Sequence, residues 1–449
     1  MKHIWLYLRR SDLDTERRQC KEEGKDLAPV VEEFERVAAL DLEDPRYQPA
    51  AQALLDRTAA LPLRPDYPYE EPSDLEGIRA VRPARRSPLP VVGLSDAALE
   101  DRIYGAWLGR VCGCLLGKPV EGWRRPQMYG YLRETGRFPL SWYFSRRAPE
   151  DVRKRYGIRS GGSFIEDVRF MPEDDDTNYT TTGLGIWKRY GSHFTPVDVA
   201  SFWMSDIPIL RTCTAERVAY RNLALLIPPP QSASFRNPYR EWIGAQIRAD
   251  FWGYVAAGNP ERAARYAWRA ACISHVKNGI YGAMFCAAVI AAAFVTSDLD
   301  TMLDAGLGEI PARCRLAEAI RAVRQWRAAG LDYDAALERL HQTWDERCAY
   351  DWCHTISNAM VVVLGLLWGE HDYPRSITRA VQACFDTDCN GATVGSILGA
   401  MQGARELPAA WTEVVRDTLV TGVAGYHRVR ISKLARETAR CIEQATNSR

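Results

Sequence analysis

Charge of neither sign is in excess in this chain: 58 lysines and arginines stand against 57 aspartates and glutamates, a formal net charge of +1 over 449 residues. Without a basic or acidic surplus nothing asks for nucleic acid or an anionic membrane, so a small-molecule partner is expected and nucleic-acid binding is not. The twelve cysteines include no CxxC pair, and Met1–Trp5 is soon followed by Arg9, Arg10 and Asp12. A secretory leader is therefore not expected, and a reducing cytoplasm is the simplest compartment. Long apolar runs are scarce; the longest is GIYGAMFCAAVIAAAFV at 279–295. It is alanine-rich and lacks aromatic and basic anchors, whereas reliable spans need about 20 apolar residues, so it reads as a buried core helix with no membrane role. There is no GxxxxGKS/T phosphate loop, and the GxG of TTGLGIW is too common to imply a dinucleotide site.

What is present is ample material for a core, 47% hydrophobic and 10% aromatic residues. Residues 1–60 carry apolar positions at helical spacing between charge pairs, as in ERRQCKEEGKDLAPVVEEFERVAAL, and read as a surface appendage of charged helices. Residues 61–98, rich in proline and charge, read as an extended connection. The boundary falls near 95–100, giving an appendage with its connection over 1–98 and a main domain over 99–449. Helical periodicity then recurs at 99–117, 180–190, 197–206, 214–226, 241–257, 260–272, 279–296, 311–329, 333–347, 353–369, 374–384, 390–404 and 409–424. Segments 123–172 and 228–240 read as loops or caps. Long alternating strands are missing, and an all-α fold is expected.

Two helices stand out by their glycines. Gly391, Gly395, Gly399 and Gly403 recur every four residues, as do Gly105, Gly109, Gly113 and Gly117. That spacing is one ridge on a helix surface, and each glycine costs about 1 kcal/mol relative to alanine, so close backbone contact is the expected reason. If the ridges pack antiparallel, Glu121 comes beside Asp386 and Asp388.

Those aspartates belong to DTDCN, and a second acidic run, EDDDTNYTTTGLGIW at 173–187, also precedes a helix. One aspartate suffices to cap a helix; Asp174, Asp175 and Asp176 in succession repel unless they are solvated or share a cation. Convergence of the two clusters would offer oxygen ligands of the kind magnesium and manganese prefer, zinc drawing more on histidine and thiolate. Histidines number seven. His275 with Asn278, and His354 with Asn358, place polar groups at the ends of apolar helices, where they would serve either as satisfied core groups or as the lining of a polyol or nucleotide pocket. Cys112, Cys114 and Cys389 suit tight packing, and a nucleophilic role is not expected for them. The interleaved arginines and aromatics at 142–159 could stack on a base or pair with phosphate, and a solvated loop is the favoured reading.

The set GAWLGRVCGCLLGKPVE, EDDDT, ISHVKNG and DTDCNGATVGSILGAMQGARELPAAW resembles the ADP-ribosylglycohydrolase family over roughly 99–425. The resemblance implies an all-α fold with two Mg2+ or Mn2+ ions in a central cleft. It also implies hydrolysis of the bond between the anomeric carbon of a terminal ribose and a nitrogen or oxygen, in an ADP-ribosylated or related nucleoside or nucleotide substrate. Carried onto this chain, it makes Asp174, Asp175, Asp176, Asp386, Asp388 and Cys389 the candidate metal ligands, and Glu121 and Asp388 the candidate catalytic residues. Gly117, His275, Asn278, His354 and Asn390 are the candidate substrate-binding residues. The chain departs from the family pattern at Cys114, where an aspartate is usual, and at Cys389, where a hydroxyl is usual. A soft thiol suits magnesium poorly, and these two positions favour the alternative of a catalytically inactive ADP-ribose or nucleotide-binding protein.

Overall fold

The computed structural model describes residues 2–86, 88–90, 93–159 and 163–447. Regular structure among them is overwhelmingly helical. The exceptions are a short antiparallel pair, Thr418–Val420 with Arg428–Arg430, and isolated bridges such as Trp242 with His354. The fold is all-α, as expected. Among the described residues no helix is long and apolar enough to cross a membrane. The alanine-rich run lies in the helix Lys277–Ala293, nearly every residue of which is buried.

The two glycine ridges are one device. The first ridge helix, Asp96–Gly117, starts where the Ser95 hydroxyl accepts the Ala98 N–H. The second, Thr387–Gln402, stops at Gly403, whose φ of +88° is a left-handed conformation that L side chains rarely adopt. They pack antiparallel: a Cβ added at Gly109 would stand 2.1 Å from the Gly395 carbonyl oxygen, and one at Gly113 would stand 2.0 Å from that of Gly391. Any side chain here would force the backbones apart, which is the physical reason for the repeat. The pairing lays the C-terminal end of the first helix beside the N-terminal end of the second, where the Thr387 hydroxyl donates to the Gly117 carbonyl at 2.9 Å.

Several elements differ from the periodicity reading. Segment 241–257 is a 3-10 stretch, Ile243–Arg248, followed by the short helix Asp250–Tyr254; its residues are buried on all sides, so apolar spacing carries no helical signal. Segment 409–424 gives only short helical turns before the Thr418–Val420 strand. Within 123–172 lie helices Arg125–Glu134 and Glu150–Arg155, and the aromatic stretch there folds over a cavity of about 450 Å3 lined by Tyr131, Arg137, Trp142, Tyr143, Phe144 and Glu166. A last helix, Ile431–Asn447, was not evident from spacing.

The N-terminal segment has a small apolar core of its own, around Leu13, Phe34, Val37 and Leu54. It is fastened to the rest by buried charge. Arg240 pairs with Glu16 and Glu23, both at 2.6 Å, and Arg315 pairs with Glu71 at 2.9 Å and Glu241 at 2.8 Å. The connection, expected to be extended, contains the helix Leu75–Val81, capped by Asp74.

Candidate functional site

The helix Asp175–Tyr190 begins beside the meeting point of the ridges. Asp174 is its cap and accepts the Asp176 N–H at 3.0 Å, so one aspartate of the run does the capping that any helix start needs. Asp386 occupies the corresponding place before Thr387 but makes no side-chain cap bond. Its carboxylate lies close enough to Asp388 to share a hydrogen bond, and its N–H donates to the Asn358 side-chain oxygen at 3.1 Å. Cys384 and Phe385, immediately upstream, both have positive φ, 67° and 59°. Two successive non-glycine residues in that region are strained, and such strain persists where surrounding packing enforces it.

Two groups of ligand-type atoms result. Cys114, Asp174, Asp176 and Asp388 each place one such atom within 4.8 Å of the others, and Asp386, Asp388 and Cys389 do the same, with Asp388 common to both. All six residues are buried. One oxygen of Asp176 and one of Asp388 have no hydrogen-bond partner in the protein. Orphaned buried carboxylate oxygens are costly, so the arrangement fits a bound cation better than a set of separate caps.

Electrostatics point the same way. Burial, then the charges of Asp174 and Asp388, push the Asp175 carboxyl up to about 7. Burial raises Asp176, Asp386 and Asp388 as well, each further raised by a neighbouring aspartate. Glu121 is exposed at the rim, and there the charge of Asp388, ahead of desolvation, pushes it up to about 9. The buried thiols of Cys114 and Cys389 are pushed well above their ordinary range by burial and then by the aspartates. Protein cations offset only part of this charge. Lys118 reaches Asp174 at 2.6 Å. Arg110, wholly buried, bonds the Asp176 carboxylate at 3.0 Å, pairs with Asp250 at 2.9 Å and donates to the Thr180 hydroxyl at 2.6 Å.

Of the candidate residues, the structure thus brings together Glu121, Asp174, Asp175, Asp176, Asp386, Asp388 and Cys389. Asn390 joins them through Asn358, whose oxygen accepts from the Asn390 amide at 2.8 Å while the Asn390 oxygen is unpartnered. Gly117 is a packing glycine: a Cβ there would stand 2.3 Å from the Thr387 backbone. Asn278 is engaged elsewhere, donating to Glu71 and Glu241 and accepting from the Leu316 N–H. His275 is buried beside the Ser274 hydroxyl at 2.9 Å, and burial holds it neutral. His354 caps its own helix through Nδ1 and stacks on Trp344, with ring centroids 5.3 Å apart.

Not evident from the sequence were Cys114 as a candidate ligand, Lys118 and Arg110 as counter-charges, and Asn358 as a hydrogen-bond partner of the DTD loop. For Cys114 a signal existed: it follows Gly113 on the ridge, at the position where the aspartate of the resembled motif is absent.

The family model for ADP-ribosylglycohydrolase matches residues 95–447. A solved structure described as an ADP-ribosylglycohydrolase-related protein complex is similar at 18% sequence identity and a TM-score of 0.45, covering 77% of this chain and 99% of that one. No curated protein matches the chain.

Proposed function

Since the chain belongs to the ADP-ribosylglycohydrolase family, we propose that it is a divalent-cation-dependent hydrolase of the bond joining the anomeric carbon of a ribose to a nitrogen or oxygen. The substrate class is an ADP-ribosylated acceptor or a related nucleoside or nucleotide. The observation that carries this reading is the buried convergence of Asp174, Asp176 and Asp388, with orphaned oxygens on two of them.

The resemblance implies two Mg2+ or Mn2+ ions. The aspartate oxygens are hard donors that fit such ions, while the Cys114 and Cys389 thiols fit magnesium poorly. A divalent cation held by these residues would supply Lewis-acid chemistry toward the ribose and would offset part of the carboxylate charge. Around it, Asp174, Asp176, Asp386 and Asp388 orient the ribose, and the tight ridge contact fixes the first and second helices so that their donors cannot drift. Glu121 is the general base. With the Asp388 charge offset, its carboxyl would ionise below the raised value, and the carboxylate would take a proton from water as the oxygen attacks the anomeric carbon. The carbon–nitrogen or carbon–oxygen bond breaks, and the leaving group recovers a proton, which Glu121 can return. Asn390, whose side-chain oxygen has no hydrogen-bond partner in the protein, is the candidate to accept from a ribose hydroxyl. All twelve cysteines carry free thiols, which supports the reducing, cytoplasmic setting.

The test is incubation with ADP-ribosyl-arginine, ADP-ribosyl-serine and simple nucleosides, with divalent cation and then with chelator. Metal-dependent release of ADP-ribose or ribose supports the hydrolase. Tight binding without turnover supports the second reading, a ribose-binding protein that has lost catalysis, which the thiols at 114 and 389 favour.

A further inference from the structure

A centre made for magnesium alone has no use for sulfur, yet a thiol stands in each of the two ligand groups. Cys114 lies with Asp174, Asp176 and Asp388, and Cys389 with Asp386 and Asp388. Both thiols are buried on tightly packed backbone. Cys114 follows Gly113, whose Cβ position is 2.0 Å from the opposing Gly391 oxygen, and Cys389 sits in the first turn of the facing helix. Independently of the sulfurs, Asp176 Oδ2 and Asp388 Oδ1 belong to residues 0% and 3% exposed and have no partner. The first group therefore presents one sulfur and three carboxylates, four donors of mixed hardness, as borderline cations of the zinc type take in four-coordinate sites.

We propose that the two groups form a mixed thiolate–carboxylate centre, with Cys114 and Cys389 as ligands and Asp388 shared, that takes a borderline-soft divalent cation such as Zn2+ in preference to Mg2+. This rests on the reading of the acidic cluster as the cation site of the proposed hydrolase. On binding, each thiol loses its proton to solvent as the sulfur–metal bond forms, and nothing is oxidised or reduced. Lys118 and Arg110 keep donating to the Asp174 and Asp176 carboxylates, whose remaining lone pairs face the cation, and keep them ionised.

The experiment uses the full chain, stripped by chelator and titrated anaerobically with Co2+, a spectroscopic stand-in for Zn2+. The expected result is an intense near-ultraviolet thiolate-to-cobalt band, displaced by Zn2+ but not by Mg2+, with a preference for Zn2+ on the order of a hundredfold or more. Cys114→Ser and Cys389→Ser each remove part of that band, whereas Cys348→Ser, at an exposed cysteine, leaves it intact. Should a serine variant fail to fold, the wild-type competition and the rise in melting temperature with Zn2+ against Mg2+ still decide. Cobalt bound without the band, a band that survives both substitutions, or Mg2+ competing on equal terms would overturn the proposal. Release of ADP-ribose with Mg2+ and no thiolate band would sink this inference alone; a thiolate band with no release on any substrate would sink the hydrolase reading alone.

Discussion

Replacing Gly113 with alanine gives opposite results in two pictures of the ridge. In a helix that merely tolerates glycine, the change stabilises by about 1 kcal/mol, because alanine is the better helix former. Here the new Cβ stands 2.0 Å from the Gly391 carbonyl oxygen and 2.5 Å from its carbon. Both atoms are backbone within a helix, so no rotamer relieves the clash. Reaching ordinary contact at 3.4 Å requires the helices to part locally by about 1 Å or more, and overpacking of this kind costs about 1–3 kcal/mol or somewhat more. The net expectation is a loss of about 1–2 kcal/mol, read by urea unfolding and as a fall of about 2–4 °C in melting temperature. The same separation moves Cys114 away from Asp388, so the melting-temperature rise caused by divalent cation should shrink as well. A Gly113→Ala protein as stable as the parent, with an unchanged response to cation, would refute the ridge as the scaffold of the site.

Further consequences concern charge. In chelator, Asp175 near 7 and Glu121 near 9 are raised above the ordinary carboxylate range of about 4. A raised carboxylate contributes stability in its protonated form, so the metal-free protein should be most stable near pH 5 and lose stability progressively towards pH 9; divalent cation should flatten that slope, and thermal melts across the range with and without chelator check both. Arg110→Met leaves Asp176 and Asp250 buried without their cation, and a loss of about 3–5 kcal/mol in urea unfolding is expected; a loss under about 1 kcal/mol would show that water or protons replace the arginine freely. Asp388→Asn removes the largest cause of the raised Glu121 pKa, so the protein should keep its cooperative unfolding and lose turnover, while titration of Glu121 followed by NMR shifts to lower pH. An unmoved titration would place Asp388 outside the reach of Glu121.

The ridges were legible in the sequence because a helix surface repeats every four residues, and glycine at that period has few explanations besides close approach. Their antiparallel pairing was posed only as a condition, and the structure meets it, bringing the C-terminal end of the first helix to the DTD loop. What stayed hidden depended on partners far apart in the chain. Nothing local marks Arg110 as a counter-charge, because Asp176 and Asp250 come from other elements. Asn278 looked available to a ligand, because nothing local announces that Glu71, from the N-terminal segment, takes its amide. Segment 241–257 misled for a different reason: burial on every side erases the amphipathic period on which helix recognition relies.

The most direct test of the site is a release assay on ADP-ribosyl-arginine and ADP-ribosyl-serine, comparing the parent protein with Asp388→Asn under Zn2+, Mn2+, Mg2+ and chelator. The account predicts ADP-ribose from the parent with a divalent cation, and none in chelator or from the variant. Release that persists undiminished in chelator, or from the Asp388→Asn protein, would contradict it.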